Sequence, residues 1–306
     1  MAQPEGSSGV RAPSSVVRGL TAPPGGGPTV LRRLLGAQLR RLREDRRITL
    51  EDAGEVIRAS GSKMSRLETG RVGFKDRDIA DLLTFYEVTD DEQRTALRDL
   101  ARSASAHGWW HDYSDVLPSW FEAYVGLEEA ATSIRAYEIQ FVPGLLQTED
   151  YARAVTLLGH HGAPASEIEQ RVALRMARQA LLAGPSPTHL WAVLDEAVLR
   201  RPAGRPGVMR RQLQSLLEAA ERPNVTIQII PFAAGLHAAA GGQFSILRFA
   251  ERDLPDIVYL EQLGSSLYLD KRETVDNYMA VMDRLCLEAS PSSATAKTIN
   301  AILRDR

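Results

Sequence analysis

The sequence predicts a mostly α bundle on the N-terminal side, followed by an α+β domain with an antiparallel sheet. Apolar residues recur at helical spacing from residue 31 to 86. Four short β-rich runs follow one another between residues 224 and 269, most of them parted by Gly, Pro or Asp. Helices first and neighbouring strands afterwards is the order of an α+β domain, not of a doubly wound sheet.

Residues 1–28 are expected to form a disordered tail, because a stretch rich in Gly, Pro and Ser lacks the apolar content that repays chain ordering. Arg11 and Arg18 could touch DNA as an arm, although two scattered arginines are thin support. Residues 31–43 read as a helix with Leu31, Leu34, Leu35, Leu39 and Leu42 inward and Arg32, Arg33, Arg40, Arg41 and Arg43 outward. Two short helices joined by a tight turn follow. Thr49 caps the first, whose Leu50, Ala53, Val56 and Ile57 share one apolar face. Gly54 on its inner side leaves room for a close crossing. Ser60 caps the second, with Met64 and Leu67 inward and Gly61, Ser62, Lys63, Ser65 and Arg66 outside. A small, polar, cationic face of that kind suits a major groove, where Arg forks onto guanine and Lys neutralises a phosphate. Any compact helical hairpin with a solvated face would share part of this pattern.

Charge separates the two readings. Residues 31–75 hold twelve Lys and Arg against six Asp and Glu, whereas residues 76–100 hold three against eight. The basic character is confined to the helical pair and its leading helix, as polyanion binding requires. A helix at 78–86 closes the bundle, and another at 89–101 leads out of it.

These residues resemble the Xre (Cro/repressor-type) helix-turn-helix family over about residues 31–88: threonine-leucine, a small residue, a turn, then serine, arginine, a hydrophobic residue, glutamate and glycine from Ser65 to Gly70. The resemblance implies that the helix starting near Gly61 is the recognition helix. The expected DNA-contacting set is Thr49, Gly61, Ser62, Lys63, Ser65, Arg66 and Arg71. Two departures stand out. Arg58 occupies a turn position where the family commonly has Gly and where a left-handed backbone costs a side chain about 1 kcal/mol. Gly61 brings no side chain to a usual base-reading position.

The domain boundaries are expected at 29–102 for the helix-turn-helix domain, 103–290 for the α+β domain and 291–306 for a C-terminal helix or tail. The second domain opens with Trp109, Trp110, Tyr113, Trp120, Phe121 and Tyr124, a concentration that seeds a core or a ligand-facing wall. Helices are expected at 119–136, 148–158, 166–183, 208–221 and 271–288. Strands are expected at 188–194, 224–230, 243–249, 257–261 and 266–269, the last three as an antiparallel meander. The aromatic opening, the run from Ile134 to Glu138 and the run from Phe141 to Arg153 resemble the C-terminal domain of many actinomycete Xre-type regulators, including WhiJ-like proteins. That likeness implies a regulatory domain serving a small protein partner, some being BldB-like, in antitoxin-like arrangements. Trp109, Trp110, Tyr113, Trp120, Tyr137 and Gln147 are the expected partner or ligand contacts.

An enzyme is the competing class. His107 and His111 stand four apart, but Gly108 interrupts the helix that would align them as metal ligands. His160 and His161 sit between glycines, and His189 alternates with apolar strand residues. Asp195 and Glu196, with Glu138 and Glu261, could supply paired carboxylates for a metal-dependent hydrolase tethered to DNA, although Asp195 equally suits a helix N-cap. No phosphate loop, dinucleotide glycine pattern or nucleophile elbow is present. The single cysteine, Cys286, excludes an internal disulfide and reads as a buried helix thiol. A net charge of −2 names no partner, no apolar run approaches the roughly twenty residues of a membrane span, and no signal peptide is visible. The expectation is a cytoplasmic, sequence-specific, homodimeric transcriptional regulator of double-stranded DNA, without cofactor, metal or catalytic residue. Its C-terminal domain, residues 109–288, is expected to bind a small protein or metabolite and so change the spacing of two DNA-binding modules.

Overall fold

The computed structural model describes residues 27–251 and 254–305. The expected tail, with Arg11 and Arg18, lies outside the described residues except for Gly27 and Pro28, and Pro28 already starts a helix. Contacts divide the chain into two compact units, Met1–Ala106 and His107–Arg306.

The first unit is a five-helix bundle: α1 Pro28–Asp45, α2 Leu50–Val56, α3 Gly61–Glu68, α4 Asp76–Phe85 and α5 Asp91–Ala104. The chain specifies each start locally. Pro28 occupies the first helical position of α1, where a missing N–H is no loss. Thr49 and Asp52 form a reciprocal capping box on α2, and the Ser60 hydroxyl accepts from the Lys63 amide on α3. Asp90 accepts from the amides of Glu92 and Gln93 on α5. Leu35, Leu39, Ala53, Met64, Leu67, Ile79, Leu82, Leu83 and Leu97 interlock as the core. A Cβ on Gly54 would stand 2.6 Å from the Ala59 carbonyl oxygen, so the turn folds back onto α2 at a distance that excludes a side chain. Arg58 adopts a φ of +54°, the left-handed turn expected at its position.

Two expected outward residues of α1 are inside. Arg33 and Arg43 are each 8% exposed. Arg43 continues the stripe of Leu35 and Leu39 at four-residue intervals, and so it points into the bundle. Its Nε and Nη2 donate to the two Glu68 carboxylate oxygens at 2.6 and 3.0 Å, and its Nη1 donates to the Ile48 carbonyl at 2.8 Å. A guanidinium is tolerated there because a matched carboxylate meets it fork to fork, which also raises its pKa. Gly36, about two turns before Arg43, lets α1 press on the end of α3: a Cβ there would be 2.4 Å from the Glu68 carbonyl oxygen.

The second unit is α+β. After a 3₁₀ turn at Trp109–Tyr113 come α6 Ser119–Ala130, β1 Ser133–Glu138, α7 Glu149–Gly159, α8 Ala165–Arg178, β2 His189–Asp195, α9 Glu196–Arg200, α10 Val208–Ala220 and β3 Val225–Ile230. Then follow β4 Phe244–Arg248, β5 Ile257–Glu261, β6 Ser266–Leu269, α11 Arg272–Glu288 and α12 Thr295–Arg304. The six strands form one sheet in the order β3-β2-β1-β4-β5-β6. β4, β5 and β6 pair antiparallel as the expected meander. β1, β2 and β3 run parallel, joined through α7–α8 and α9–α10, so the sheet is mixed and not antiparallel throughout.

The element that makes it mixed is β1, which the expected single helix at 119–136 had absorbed. Its Ala, Arg and Glu are helix formers, and what decides the matter is pairing on both edges: Ile134 faces Leu190 on one side and Leu247 on the other. α11 covers one face of the sheet, packing Val275, Met282 and Leu285 against Tyr137, Val193, Ile246 and Val258. Cys286 on α11 is half-buried, and Leu287 beside it is exposed. Asp195 caps α9, its carboxylate accepting from the Ala197 amide at 2.7 Å.

Candidate nucleic-acid interface and a charged cleft

α2, the turn and α3 are held by their own caps and by the apolar pairs beneath them, so the outer surface of α3 has a defined orientation within its bundle. Ser62 and Arg66 are exposed there, and Gly61, Lys63 and Ser65 are partly so. Arg71, three residues beyond the helix, is exposed as well. Among the described residues Lys63, Arg66 and Arg71 make no ion pair, in contrast to Arg43, so their charge is available to an external anion. Thr49 is exposed, but its hydroxyl and amide both engage Asp52 in the cap. One contributor escaped the sequence reading. Glu51 extends from the first turn of α2 so that its Oε1 would lie 2.7 Å from a Cβ on Gly61. The bare backbone of α3 therefore carries a neighbour's carboxylate, a group that suits the helix N-terminus and can accept from a cytosine amine.

The expected partner contacts of the second unit separate. Trp110 is 1% exposed and packs with Leu117, Val125 and Leu174, with Trp109 and Tyr113 at the margin of that cluster. The Trp120 carbonyl accepts from the Tyr268 hydroxyl at 2.7 Å. Tyr137 is fully buried, its hydroxyl 3.0 Å from His237 Nε2. Trp110 and Tyr137 thus belong to cores, where large side chains repay burial, and not to an accessible wall. The His107 and His111 rings lie with centroids 4.3 Å apart at a tilt of 45°, and no group of three potential metal ligands occurs among the described residues. Glu196 accepts from the Phe232 amide and pairs with Arg200, while Asp195 is engaged as the cap of α9.

Gln147, by contrast, opens onto a cleft of about 200 Å³ at the ends of the inner strands of the sheet. β1 and β5 both run antiparallel to β4, with Tyr137 opposite Phe244 and Ser245 opposite Tyr259. The ends of β1 and β5 and the start of β4 therefore meet, and Glu138, Glu261 and residues 243–245 line the same opening. The loop after β1 supplies Phe141, Val142, Gly144 and Gln147, α6 supplies Phe121 and Tyr124, and α8 supplies Arg175 and Arg178. Phe121 stacks on Tyr124 with centroids 5.2 Å apart, and Tyr124 lies 4.2 Å from Tyr259.

The charges in this cleft differ in their partners. Arg178 forks onto Glu128, with Nε and Nη2 each 2.7 Å from a carboxylate oxygen, and sits over the rings of Phe121 and Tyr124. Burial alone would lower its pKa; Glu128 outweighs that and raises it. Among the described residues Arg175 makes no ion pair, and the Glu261 and Glu128 carboxylates act on it only at longer range. Its Nη1 donates to Gln147 Oε1 at 2.9 Å, and burial with the neighbouring Arg178 charge lowers its pKa to about 10. Glu138 makes no hydrogen bond among the described residues, and burial followed by the Glu261 charge pushes it up to about 8. Water reaches it through the cleft mouth while protein closes round it elsewhere. The sequence reading named Glu138, Glu261 and Gln147 but missed Arg175, Arg178, Glu128 and Tyr259, which come from helices and strands far apart in the chain.

A basic face on a capped helix-turn-helix defines the class: a DNA-binding regulator, to which an α+β unit is joined. Residues 34–97 match the helix-turn-helix domain family, and residues 121–301 match the family described as a domain of unknown function, DUF5753. The chain belongs to the DUF5753 family. No curated protein and no solved structure matches it. Among the described residues, no helix is long and apolar enough to cross a membrane.

Proposed function

We propose that this protein is a sequence-specific transcriptional regulator of the Xre type, acting in the cytoplasm as a homodimer. Its α+β unit binds a small partner, a protein or a metabolite, as in WhiJ-like and antitoxin-like regulators. The observation that carries this reading is the exposed face of α3, where Ser62, Lys63 and Arg66 point away from the core and the cations lack internal partners. Arg66 reads a base and Lys63 neutralises phosphate. One recognition helix spans few base pairs, so two copies of the chain serve half-sites about one helical turn apart. The α+β unit regulates by binding and catalyses nothing in this scheme, and partner and DNA shift each other's affinity by the same factor.

The test is selection of bound fragments from the native genome by the purified full chain, followed by titration of the enriched duplex across a salt series. The expected result is a saturable, salt-dependent complex with two protein chains per site, by light scattering. Failure to prefer any duplex over random DNA, or a monomer both free and on its site, overturns the reading.

A further inference from the structure

The cleft described above sits where the strand order turns. The sequence of strands runs β3-β2-β1 and then jumps to β4, with the β1 connection leaving towards β2 and β4 lying on its other side. In open sheets with parallel crossovers, a crevice forms outside the carboxyl ends of strands at such a point and is where ligands sit. Here the carboxyl end of β1 is Glu138, and the loop that follows it forms part of the wall.

Two groups in this crevice, a guanidinium and a carboxyl, make no ion pair among the described residues. Arg175 is desolvated, and Gln147 holds it by a single hydrogen bond. Gln147 is in turn fixed, its Nε2 donating to the Val142 carbonyl at 2.6 Å and its own carbonyl accepting from Gln179 Nε2 at 2.6 Å. The guanidinium therefore keeps a fixed place with donors left over. Glu138 faces Glu261 of β5 and no cation at hydrogen-bonding distance. Between and beside these groups lie the apolar faces of Phe121, Phe141 and Phe244. A half-buried cation and a half-buried carboxyl that lack an ion pair each give up hydration, which an entering molecule of opposite charge would replace. At about 200 Å³ the cleft is smaller than the roughly 300 to 1,000 Å³ of drug-sized sites.

We propose that this cleft binds a small zwitterion of amino-acid size, whose anionic group lies on Arg175, whose ammonium lies on Glu138 beside Glu261, and whose apolar body lies on the phenylalanine wall. Arg178 and Glu128 neutralise each other and serve as framework. The proposal rests on reading the second unit as a binding module, and it needs no DNA for its test. Burial favours the neutral carboxyl of Glu138, and an incoming ammonium favours the carboxylate, so binding near neutral pH releases a proton to the buffer. The other groups facing Glu138 are Glu261 and Tyr259 on β5, Tyr151 on α7 and Arg175 on α8.

The experiment is calorimetry of the full chain against each of the twenty standard L-amino acids and O-phosphoethanolamine, in two buffers of different ionisation enthalpy. For the best probe, the same molecule without its amine and without its acid group is then titrated. The expected result is that at least one zwitterion binds with Kd below about 1 mM, releasing protons, and that each truncated analogue loses at least about tenfold in affinity. Glu138→Gln is expected to abolish the proton release and Arg175→Gln to weaken binding tenfold. Because the analogues alter only the ligand, a variant that fails to fold does not remove the test. No binding by any probe, or an analogue without its amine binding as well as its parent, overturns the proposal. Loss of the cleft with DNA selection intact leaves the regulator reading standing, and the reverse result leaves the cleft standing.

Discussion

The two units handle charge in opposite directions. In the first, the cations of α3 point outward with no internal partner, and Arg43, one of two arginines inside, is met by Glu68. In the second, Arg175 and Glu138 are turned into a cleft, and one arginine, Arg178, is met by Glu128. Each unit thus contains a paired arginine that belongs to the framework and unpaired charges that face outward or into a cavity. The difference teaches that pairing goes with burial in separating framework from site: Arg175 and Arg178 line the same cleft, yet only Arg178, the more buried of the two, makes an ion pair.

Removing a framework partner is expected to have the largest effect. Glu128→Ala strands Arg178 without a carboxylate and is expected to cost about 3 to 5 kcal/mol, as is Glu68→Ala for Arg43. All four tryptophans fall within residues 109–191, so tryptophan fluorescence in a urea titration reports the second unit alone. Glu128→Ala should lower that transition, whereas Glu68→Ala should lower the far-ultraviolet dichroism of the helical bundle and leave fluorescence in place. Equal movement of the fluorescence transition in both variants would break the separation of the two units.

Next in size is a pH effect confined to the cleft. Glu138 is raised from 4.5 to about 8 by burial and then by the Glu261 charge. Between those values the folded chain holds a proton that the unfolded chain has released, so stability is greatest at the acidic end and falls as pH rises through the window. The melting temperature followed by tryptophan fluorescence should drop by several degrees across it, and Glu138→Gln should flatten the slope. An unchanged slope in that variant would show that Glu138 is not the uncompensated group.

The outward charges supply smaller effects. Arg66→Ala is expected to cost about 1 to 3 kcal/mol on the selected site and to relax one base position. Lys63→Ala should weaken all duplexes alike and reduce the salt slope by about one. Equal losses on selected and random DNA for Arg66→Ala would remove the distinction between base reading and phosphate contact. Smallest is Arg58→Gly, which relieves the left-handed backbone at φ +54° and should stabilise the bundle by about 1 kcal/mol or less, visible as a later dichroism midpoint.

Local signals made much of this molecule legible. Thr49, Ser60 and the glycine behind Ala53 marked the helical pair, because caps and close crossings depend on neighbours a few residues away. The ranges of β5 and β6 could be read from β-branched and aromatic runs between turn residues. β1 could not, since its residues favour a helix until β2 and β4 pair with it. The inward turn of Arg43 was hidden for a related reason: its partner lies 25 residues away, and an arginine in an apolar stripe looks like surface until that partner is placed. Of the cleft, Gln147 and the two glutamates were readable as candidates. Their assembly with Arg175 depends on strand ends and helices that bring together β1, β4, β5, α6 and α8, and no window of sequence holds it.

The bare backbone at Gly36 also limits how this protein can be controlled. With α1 resting on the last turn of α3 and Arg43 clasping Glu68, two separate contacts tie the end of α3 to its own bundle. An effector of the kind proposed above would, on this geometry, act by repositioning or sequestering the bundle as a unit, through a handle outside the five helices.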